Sequence, residues 1–591
     1  MDKRWRLKPQ PSDEQTAALA ATLKVERVLA RLLVQRGIET YEQAKNFFHP
    51  DLNDLHDPFL MKDMDKAVSR IQHALDNREG ILVYGDYDVD GTTAVSMVYS
   101  FFKRFYPKVR TYIPDRNNEG YGVSFQGIDY ARENDCRLII ALDCGIKADK
   151  EIEYAREKGI DIIICDHHRP SDTLPAATAV LDPKRPDCPY PFKELSGCGV
   201  GVKLIQAVCK SKGWNDKAVI NSYLDLVAVS IGADIVPIVD ENRILAYFGL
   251  KKLNSNPCPG IKAFNIFSKK RIFNISDVIF VIAPRINAAG RINRGIHAVE
   301  LLTARNDVVA KEIAIEIDTL NAERKELDAA TTEEALRMLE GKKLDDDFCI
   351  IVYNPSWHKG VIGIVASRLV EHFYRPAMVF TKTGEGQISA SARSMHDFDI
   401  YNAIERCQDI IEQFGGHKYA AGLTLKEENF EAFKKRINDI AREAILPEMR
   451  TPVIEVDTEI RLSEITSHFL RTLKKFAPFG PGNNSPIFMA RGLKDNGWGK
   501  AVGKGGQHLK LTLMEADGEP GGRTYDAIGF NLGEKKDLVS DGKRFKAVFC
   551  IEENEYQGRT SPQIRLKDIQ PDSPDQPSFP DQDPETTPTE N

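Results

Sequence analysis

Short apolar runs recur along the first half of the chain, and each one ends on an acid. Residues 81–84 pass through Gly85 into Asp86-Tyr87-Asp88-Val89-Asp90-Gly91. Residues 138–142 run into Asp143-Cys144-Gly145, and residues 160–165 run into Asp166-His167-His168. Runs this short and apolar predict strands buried on both faces of a parallel sheet. From 80 to about 250 they alternate with helical stretches such as 92–105 and 149–158, the pattern of βαβ units. In such sheets the carboxyl ends of the strands share one edge, where ligands bind. Three separate stretches therefore deliver carboxylates and two imidazoles to one place. Carboxylates that close repel one another, and a divalent metal is the natural compensating charge.

The remaining pattern divides the chain. Residues 1–75 read as amphipathic helices, with a turn at Arg36-Gly37-Ile38. Residues 306–340 are rich in Ala, Glu, Leu and Lys without Gly or Pro, predicting a long helix between two lobes. Strand and helix signals alternate again from 348 to 445. From 452 to 570 short strands such as 509–513 and 545–549 lie between Gly-rich turns, predicting a small β-barrel. The expected layout is a helical segment (1–75), a catalytic domain (76–250), a linker with the long helix (251–345), a second α/β domain (346–450), a barrel (451–570) and a disordered acidic tail (571–591).

Composition narrows this only a little. At 591 residues several domains are required. No apolar run approaches the roughly 20 residues of a membrane span. The basic start MDKRWRLKPQ is followed by no apolar stretch, so no secretory signal is expected. Ten cysteines without a CxxC pair suit a reducing cytoplasm and not a structural zinc site. The net charge is −7, of which six acids sit in the last 21 residues, leaving about −1 elsewhere. That balance neither supports nor excludes a nucleic-acid partner.

Each candidate segment has more than one reading. Asp86 and Asp88 are alternate residues and face the same way in an extended segment. Gly91 would let the backbone turn into a helix starting near Thr92-Thr93. A metal-binding turn and an acidic surface turn fit equally, whereas an EF-hand loop fails because its twelfth position is Met97. Asp166-His167-His168 suits Mn²⁺ or Mg²⁺, or a transition metal, better than calcium, with a polar surface turn as the alternative. Asp234, inside an apolar stretch, reads either as a buried carboxylate needing a partner or as a helix cap. In the second lobe, Gly415-Gly416-His417 lets backbone N–H groups approach an anion. Ser389, Ser391, Arg393, Ser394, His358, Lys359 and Gly360 add phosphate donors, and Arg285, Asn287, Gly290 and Arg291 form a further cationic turn.

These motifs, in this order, resemble the DHH phosphoesterase superfamily. Residues 86–91, 143–145, 166–168 and 232–234 match its four first-lobe motifs. Gly415-Gly416-His417 and Ala420-Ala421-Gly422 match the associated DHHA1 domain. Residues 284–291, 357–368 and 478–483 are similar to the RecJ branch, a family of bacterial single-strand-specific 5′→3′ exonucleases. The resemblance spans roughly residues 20–570. It implies an α/β protein in which a DHH parallel-sheet domain and a DHHA1 domain are joined by a long helix, followed by an OB-like barrel.

The resemblance also implies a two-metal site for Mn²⁺ or Mg²⁺. Asp86, Asp88, Asp143, His167 and Asp234 would be ligands, with Asp143 as the bridge. His168 and Asp166 would act at the scissile phosphate. Arg393, Ser394, Gly416, His417 and His358 would hold phosphates of single-stranded DNA, and Arg285 and Arg291 the strand near the cut. Asp90 belongs to the motif without an assigned ligand role. Smaller superfamily members carry a His where this chain has Leu82, which implies fewer ligands on the first metal. Partners implied are a single-strand-binding protein and a helicase, in recombination and repair. A small-substrate phosphoesterase is disfavoured by the extra N- and C-terminal regions. A non-enzymatic single-strand-binding scaffold is disfavoured because every ligand-type residue is present.

Overall fold

The computed structural model describes residues 3–116, 118–268, 270, 272–291, 295–341, 347–518, 522–556 and 559–572, apart from the side chains of 291, 555, 556, 559 and 560. The chain divides into two compact units. One is Pro50–Leu446 with Pro478–Asn483; the other is Met1–His49 with Pro447–Ala477 and Asn484–Asn591.

The first unit is built on two sheets. Strands β1 (Gly80–Gly85), β2 (Val109–Tyr112), β3 (Cys136–Leu142), β4 (Asp161–Cys165) and β5 (Ala179–Leu181) form an all-parallel sheet in the order β2-β1-β3-β4-β5. Both faces are buried. Ile81, Val83, Leu138, Ile140 and Ile163 pack on one side, and Leu82, Tyr84, Ile139, Ala141 and Ile164 on the other. This is why the strand sequences are continuously apolar. The strand order reverses between β1 and β3, the switch point where such sheets open a crevice. Helices α1 (Val89–Lys103), α2 (Gly197–Ser211) and α3 (Leu224–Ala233) cover the first face.

The segment expected to be a linker is in large part core. Ile261, Phe264, Ile275, Val278, Ile282, Ile286, Ala298 and Leu301 join the apolar cluster of the sheet. Its Gly and Pro residues hid short helices that pack against their neighbours. The long helix itself, α4 (Asp307–Leu339), is present. Its first turns bury Ala310, Ala314 and Ile317 against the first sheet's core. Its last turns bury Ala335 and Leu339 against a second one.

The second sheet has the order β9-β10-β8-β7-β6, with β6 (Ile350–Tyr353), β7 (Ala377–Gly384), β8 (Gln387–Arg393), β9 (Gln413–His417) and β10 (Ala420–Lys426). Helix α5 (Ile362–Phe373) packs on it, with Ile362, Val365 and Leu369 buried beside Ile350 and Val379.

The other unit joins the two chain ends. The N-terminal region holds the helices Asp13–Leu23, Arg27–Val34 and Tyr41–Phe48, with Gly37 in a left-handed turn (φ 72°) between the second and third. The first residues are not helical. Arg4–Leu7 forms a parallel strand with Val453–Val456, and Trp5 is buried with Val456, Met489 and Val548. The C-terminal region is a seven-stranded sheet. A pairing of Phe488–Asp495 with His508–Glu515 brings opposite sides of it together over three residue pairs. It is thus a partly closed sheet and not a strict barrel. Residues 571 and 572, expected in the tail, are placed against the sheet. Pro571 ends a strand, and the side chain of Asp572 is buried against Arg491 at 2.8 Å. Residues 573–591 lie outside the described residues.

Candidate metal centre

The register of the first sheet builds the site. Gly85, Leu142, Cys165 and Leu181 pair in one row across β1, β3, β4 and β5. The next residue in each strand is an aspartate: Asp86, Asp143, Asp166 and Asp182. Asp143 N–H donates to Cys165 O at 2.8 Å, and Asp166 N–H to Leu181 O at 3.0 Å, so the row continues one residue past the strands. Asp143 then turns into the left-handed region (φ 59°), a costly conformation for a non-glycine residue. Gly197 makes room for it, since a Cβ there would lie 2.7 Å from the Asp143 Cβ.

Helix α1 starts at Val89, three residues before the start expected at Thr92. Asp88 is its N-cap, accepting the Gly91 N–H at 3.0 Å. Gly91 serves close approach instead of the turn, because a Cβ there would sit 2.4 Å from the Asp86 carbonyl oxygen.

Three overlapping groups of potential ligand atoms form at the crevice: Asp86, Asp88 and Asp143; Asp143, His167 and His168; and Asp90, His167 and Asp234. His167 Nε2 lies 3.2 Å from Asp143 Oδ1, 3.6 Å from Asp234 Oδ2 and 3.8 Å from Asp90 Oδ2. Both ring nitrogens of His167 and Asp86 Oδ1 are buried without a hydrogen-bond partner. Unpartnered buried polar atoms are costly, and here His167 Nε2 and Asp86 each belong to a group of potential ligand atoms that includes Asp143. The donor set of oxygens and an imidazole fits divalent cations of the Mn²⁺ and Mg²⁺ kind. Asp234 settles both of its readings: it caps α3 and reaches the cluster, with its side chain 29% exposed and not buried.

The charge states point the same way. Burial first, and then neighbouring carboxylates, push Asp86, Asp88 and Asp143 up and Asp234 up to about 8. Burial acts in the same direction on Asp166, but the hydrogen bond and charge of His168, the charge of His167 and the Ile146 N–H hold it at about 2. His168 Nδ1 lies 2.7 Å from Asp166 Oδ1. Burial would lower this imidazole, yet Asp166 raises it to about 9. Burial lowers His167. The site thus combines a neutral imidazole, a protonated imidazole and an excess of carboxylate that a cation relieves.

Asp90 is held from behind. Its Oδ2 accepts the Gly197 N–H at 2.7 Å, and its Oδ1 accepts the Cys198 N–H at 2.8 Å and the Ser230 hydroxyl at 2.7 Å. Two of these donors are the open N–H groups at the start of α2, which favour an anion.

The second-lobe candidates divide. His417 and Arg393 sit close enough to feel the first lobe. Burial and then the charges of His168, Lys147 and Lys184 lower His417, and burial and then Arg116 lower Arg393. Arg393 Nη1 also donates to Ser391 Oγ at 3.1 Å. Gly416 has φ 139°, and a Cβ there would meet the Ala420 carbonyl at 2.4 Å. His358 is exposed, its Nδ1 accepting the Gly360 N–H at 3.0 Å. Ser394 donates its hydroxyl to Phe398 O at 2.7 Å. Arg285 is turned inward, donating to Asp318 on α4 at 2.8 Å and to Val281 O, with its guanidinium 4.5 Å from the Phe267 ring centre. It anchors the long helix. The Arg291 side chain lies outside the described residues.

Several site residues escaped the sequence reading. Asp182 repeats the run-then-acid pattern, but after only three strand residues. Tyr121 reaches Asp143 O and His168 from a loop, and Arg116 stands over the Tyr87 ring at 5.1 Å. The one sequence signal for Tyr121 is its position between two glycines.

Comparison with known proteins agrees with this architecture. Residues 80–231 match the DHH family N-terminal domain, residues 346–443 the DHHA1 domain, and residues 456–568 the RecJ OB domain. Fold and site together define a phosphoesterase of the DHH class. The chain is 38% identical over 570 residues to the single-stranded-DNA-specific exonuclease RecJ of Bacillus subtilis, spanning 96% of this chain and 70% of that protein. It is 32% identical over 593 residues to RecJ of Escherichia coli, spanning 97% and 100%. RecJ of Thermus thermophilus in complex with Mn²⁺ superposes with a TM-score of 0.81 at 26% identity, covering 96% of this chain and 80% of that one. The chain belongs to the RecJ family of single-stranded-DNA-specific exonucleases.

Proposed function

We propose that this protein is a metal-dependent exodeoxyribonuclease that hydrolyses single-stranded DNA from the 5′ end and releases 5′-mononucleotides. The grouping of Asp143 and Asp234 around the unpartnered Nε2 of His167, with Asp86 and Asp88 gathered on the same Asp143, carries this reading. These five residues would hold two divalent cations, Mn²⁺ or Mg²⁺, the ions in the Thermus thermophilus RecJ structures. Asp143, grouped with Asp86 and Asp88 on one side and with His167 on the other, would be the carboxylate shared between them. Bound there, the cations supply the positive charge that makes water acidic near neutral pH and offsets charge developing on the phosphate.

The protein's own residues prepare the rest. Asp166 holds His168 oriented through the 2.7 Å contact at Nδ1, so that His168 would act on a phosphate oxygen beside the centre. Asp90, with both oxygens already engaged by Gly197, Cys198 and Ser230, adds negative charge beside His167 and Asp234. Arg393, which feels the charge of Arg116, and His417, which feels that of His168, would hold phosphates of the incoming strand, helped by Gly416, Ser394 and His358. Contacts to phosphates do not read base identity. We place the reaction in the cytoplasm, in recombination and repair, where a helicase and a single-strand-binding protein furnish the strand.

A 5′-³²P single-stranded oligonucleotide incubated with the protein and Mn²⁺ tests this. Immediate release of labelled mononucleotide is expected, and Asp143→Ala abolishes it while the fold stays intact. Shortening from the other end would overturn the polarity. Binding without cleavage would replace the enzyme by a single-strand-binding scaffold.

A further inference from the structure

Tyr121 is presented to the metal centre by a built support. The residue is 56% exposed, yet its hydroxyl lies 3.3 Å from the Asp143 carbonyl oxygen and 3.3–3.4 Å from the two ring nitrogens of His168. The Tyr87 ring meets it edge-on at 6.5 Å. Both flanking glycines are left-handed, Gly120 at φ 86° and Gly122 at φ 88°. Side chains other than glycine rarely adopt such angles. They make Tyr121 a knuckle that projects from the backbone.

What fixes the knuckle is Glu119. Its Oε2 accepts the Tyr112 hydroxyl at 3.0 Å and the Ser124 hydroxyl at 2.5 Å, and its Oε1 accepts the Asp115 N–H at 2.8 Å. On the other side of the knuckle the Tyr84 hydroxyl donates to Gly122 O at 2.8 Å, and Ser124 N–H donates back to it at 3.2 Å. Tyr84 and Tyr112 are register partners on β1 and β2 and stack at 5.4 Å. They are therefore posts rooted in the sheet edge that bears Asp86. Glu119 contacts none of the proposed ligands directly.

We propose that Glu119 is a positioning residue of the hydrolytic site, acting through Tyr121, which it holds against His168 and Asp143. The inference rests on the exonuclease reading above. A catalytic group displaced by about 1 Å can cost up to a hundredfold in rate.

The test is a double-mutant cycle on single-strand degradation in Mn²⁺, with kcat and KM determined separately for wild type, Glu119→Ala, Tyr121→Ala and the double variant. Hydrogen exchange of the amides of residues 119–124 provides a readout independent of turnover. Glu119→Ala is expected to lower kcat by about tenfold or more, leave Mn²⁺ binding unchanged and speed exchange in this segment. The double variant should be no slower than Tyr121→Ala alone, and Glu119→Gln should restore part of the rate. Multiplicative losses in the double variant would overturn the proposal, as would a wild-type kcat in Glu119→Ala. If Glu119→Ala melts early, Tyr112→Phe removes one hydrogen bond to the same carboxylate and replaces it in the cycle with the same criteria. A wild-type protein that leaves single strands intact would refute the exonuclease reading itself, a result distinct from additivity.

Discussion

Replacing Asp90 by asparagine keeps the shape and removes the charge, which makes it a measure of what holds the centre from behind. The carboxylate receives three donors: Gly197 N–H on one oxygen, and Cys198 N–H and Ser230 Oγ on the other. The asparagine amide of the Asp90→Asn variant can keep the latter two by placing its oxygen there. Its NH₂ then faces the Gly197 N–H, leaving a buried donor unpaired at a cost of about 1–3 kcal/mol. The two surviving bonds lose their charge assistance, roughly 1 kcal/mol each. Against this total of about 3–5 kcal/mol stands relief of repulsion, because Asp90 raises Asp88, Asp143 and Asp234. Without metal the net loss is therefore about 2–4 kcal/mol, and with Mn²⁺ bound it is larger. Loss of a group behind the ligands typically lowers metal affinity about 10- to 100-fold. Urea unfolding in EDTA and in Mn²⁺, together with calorimetric Mn²⁺ titration, measures all three quantities. Complete loss of Mn²⁺ binding, as expected for Asp143→Ala, would make Asp90 a direct ligand and refute the supporting role. Unchanged stability would refute the reading of the hydrogen-bond network.

Gly91→Ala places a methyl group 2.4 Å from the Asp86 carbonyl oxygen and 2.7 Å from its backbone C and N; backbone meets backbone, so Asp86 must move, and calorimetry should find Mn²⁺ binding impaired. Trp5→Ala empties a buried site and breaks the 2.9 Å hydrogen bond to Asp568; thermal unfolding should show the unit formed by the chain ends losing about 3–5 kcal/mol. For Asp572, burial acts upward, but Arg491 and the Gly492 N–H together hold the carboxyl below its ordinary value. A depressed folded-state value stabilises above the ordinary carboxylate range of about pH 4 and fades as pH falls through the lowered value. Asp572→Asn should therefore melt below wild type at pH 7 and converge with it in strong acid.

The first lobe was legible because its strands are buried on both faces, so apolar runs ending in acids marked strand ends and site at once. The same logic failed for Asp182, since a three-residue edge strand is too short to stand out. The start of α1 was misplaced because Asp88, not Thr92, caps it, and a glycine in the first turn looks like a turn residue. Arg285 looked like a phosphate donor in a Gly-bearing turn. Its partner Asp318 is 33 residues away on another helix, a distance that local pattern cannot bridge. The strand Arg4–Leu7 was hidden for the same reason, since its partner lies 449 residues downstream. Tyr121 belongs to a loop, where period carries no information and only side-chain contacts reveal a role.

That pairing of Arg4–Leu7 with Val453–Val456 also orders events in time. Synthesis proceeds from the N-terminus, and domains generally fold as units. The strand Arg4–Leu7 emerges early but has no partner to pair with until Val453–Val456 has been made. Apart from the six residues 478–483, the whole metal-bearing unit, 50–446, leaves the ribosome in between. Nearly all of the hydrolytic machinery can therefore assemble on a nascent chain whose opening strand is still waiting for its partner. A stalled or truncated product would carry a metal centre while exposing Trp5 and its neighbours, a surface for chaperones and proteases to recognise.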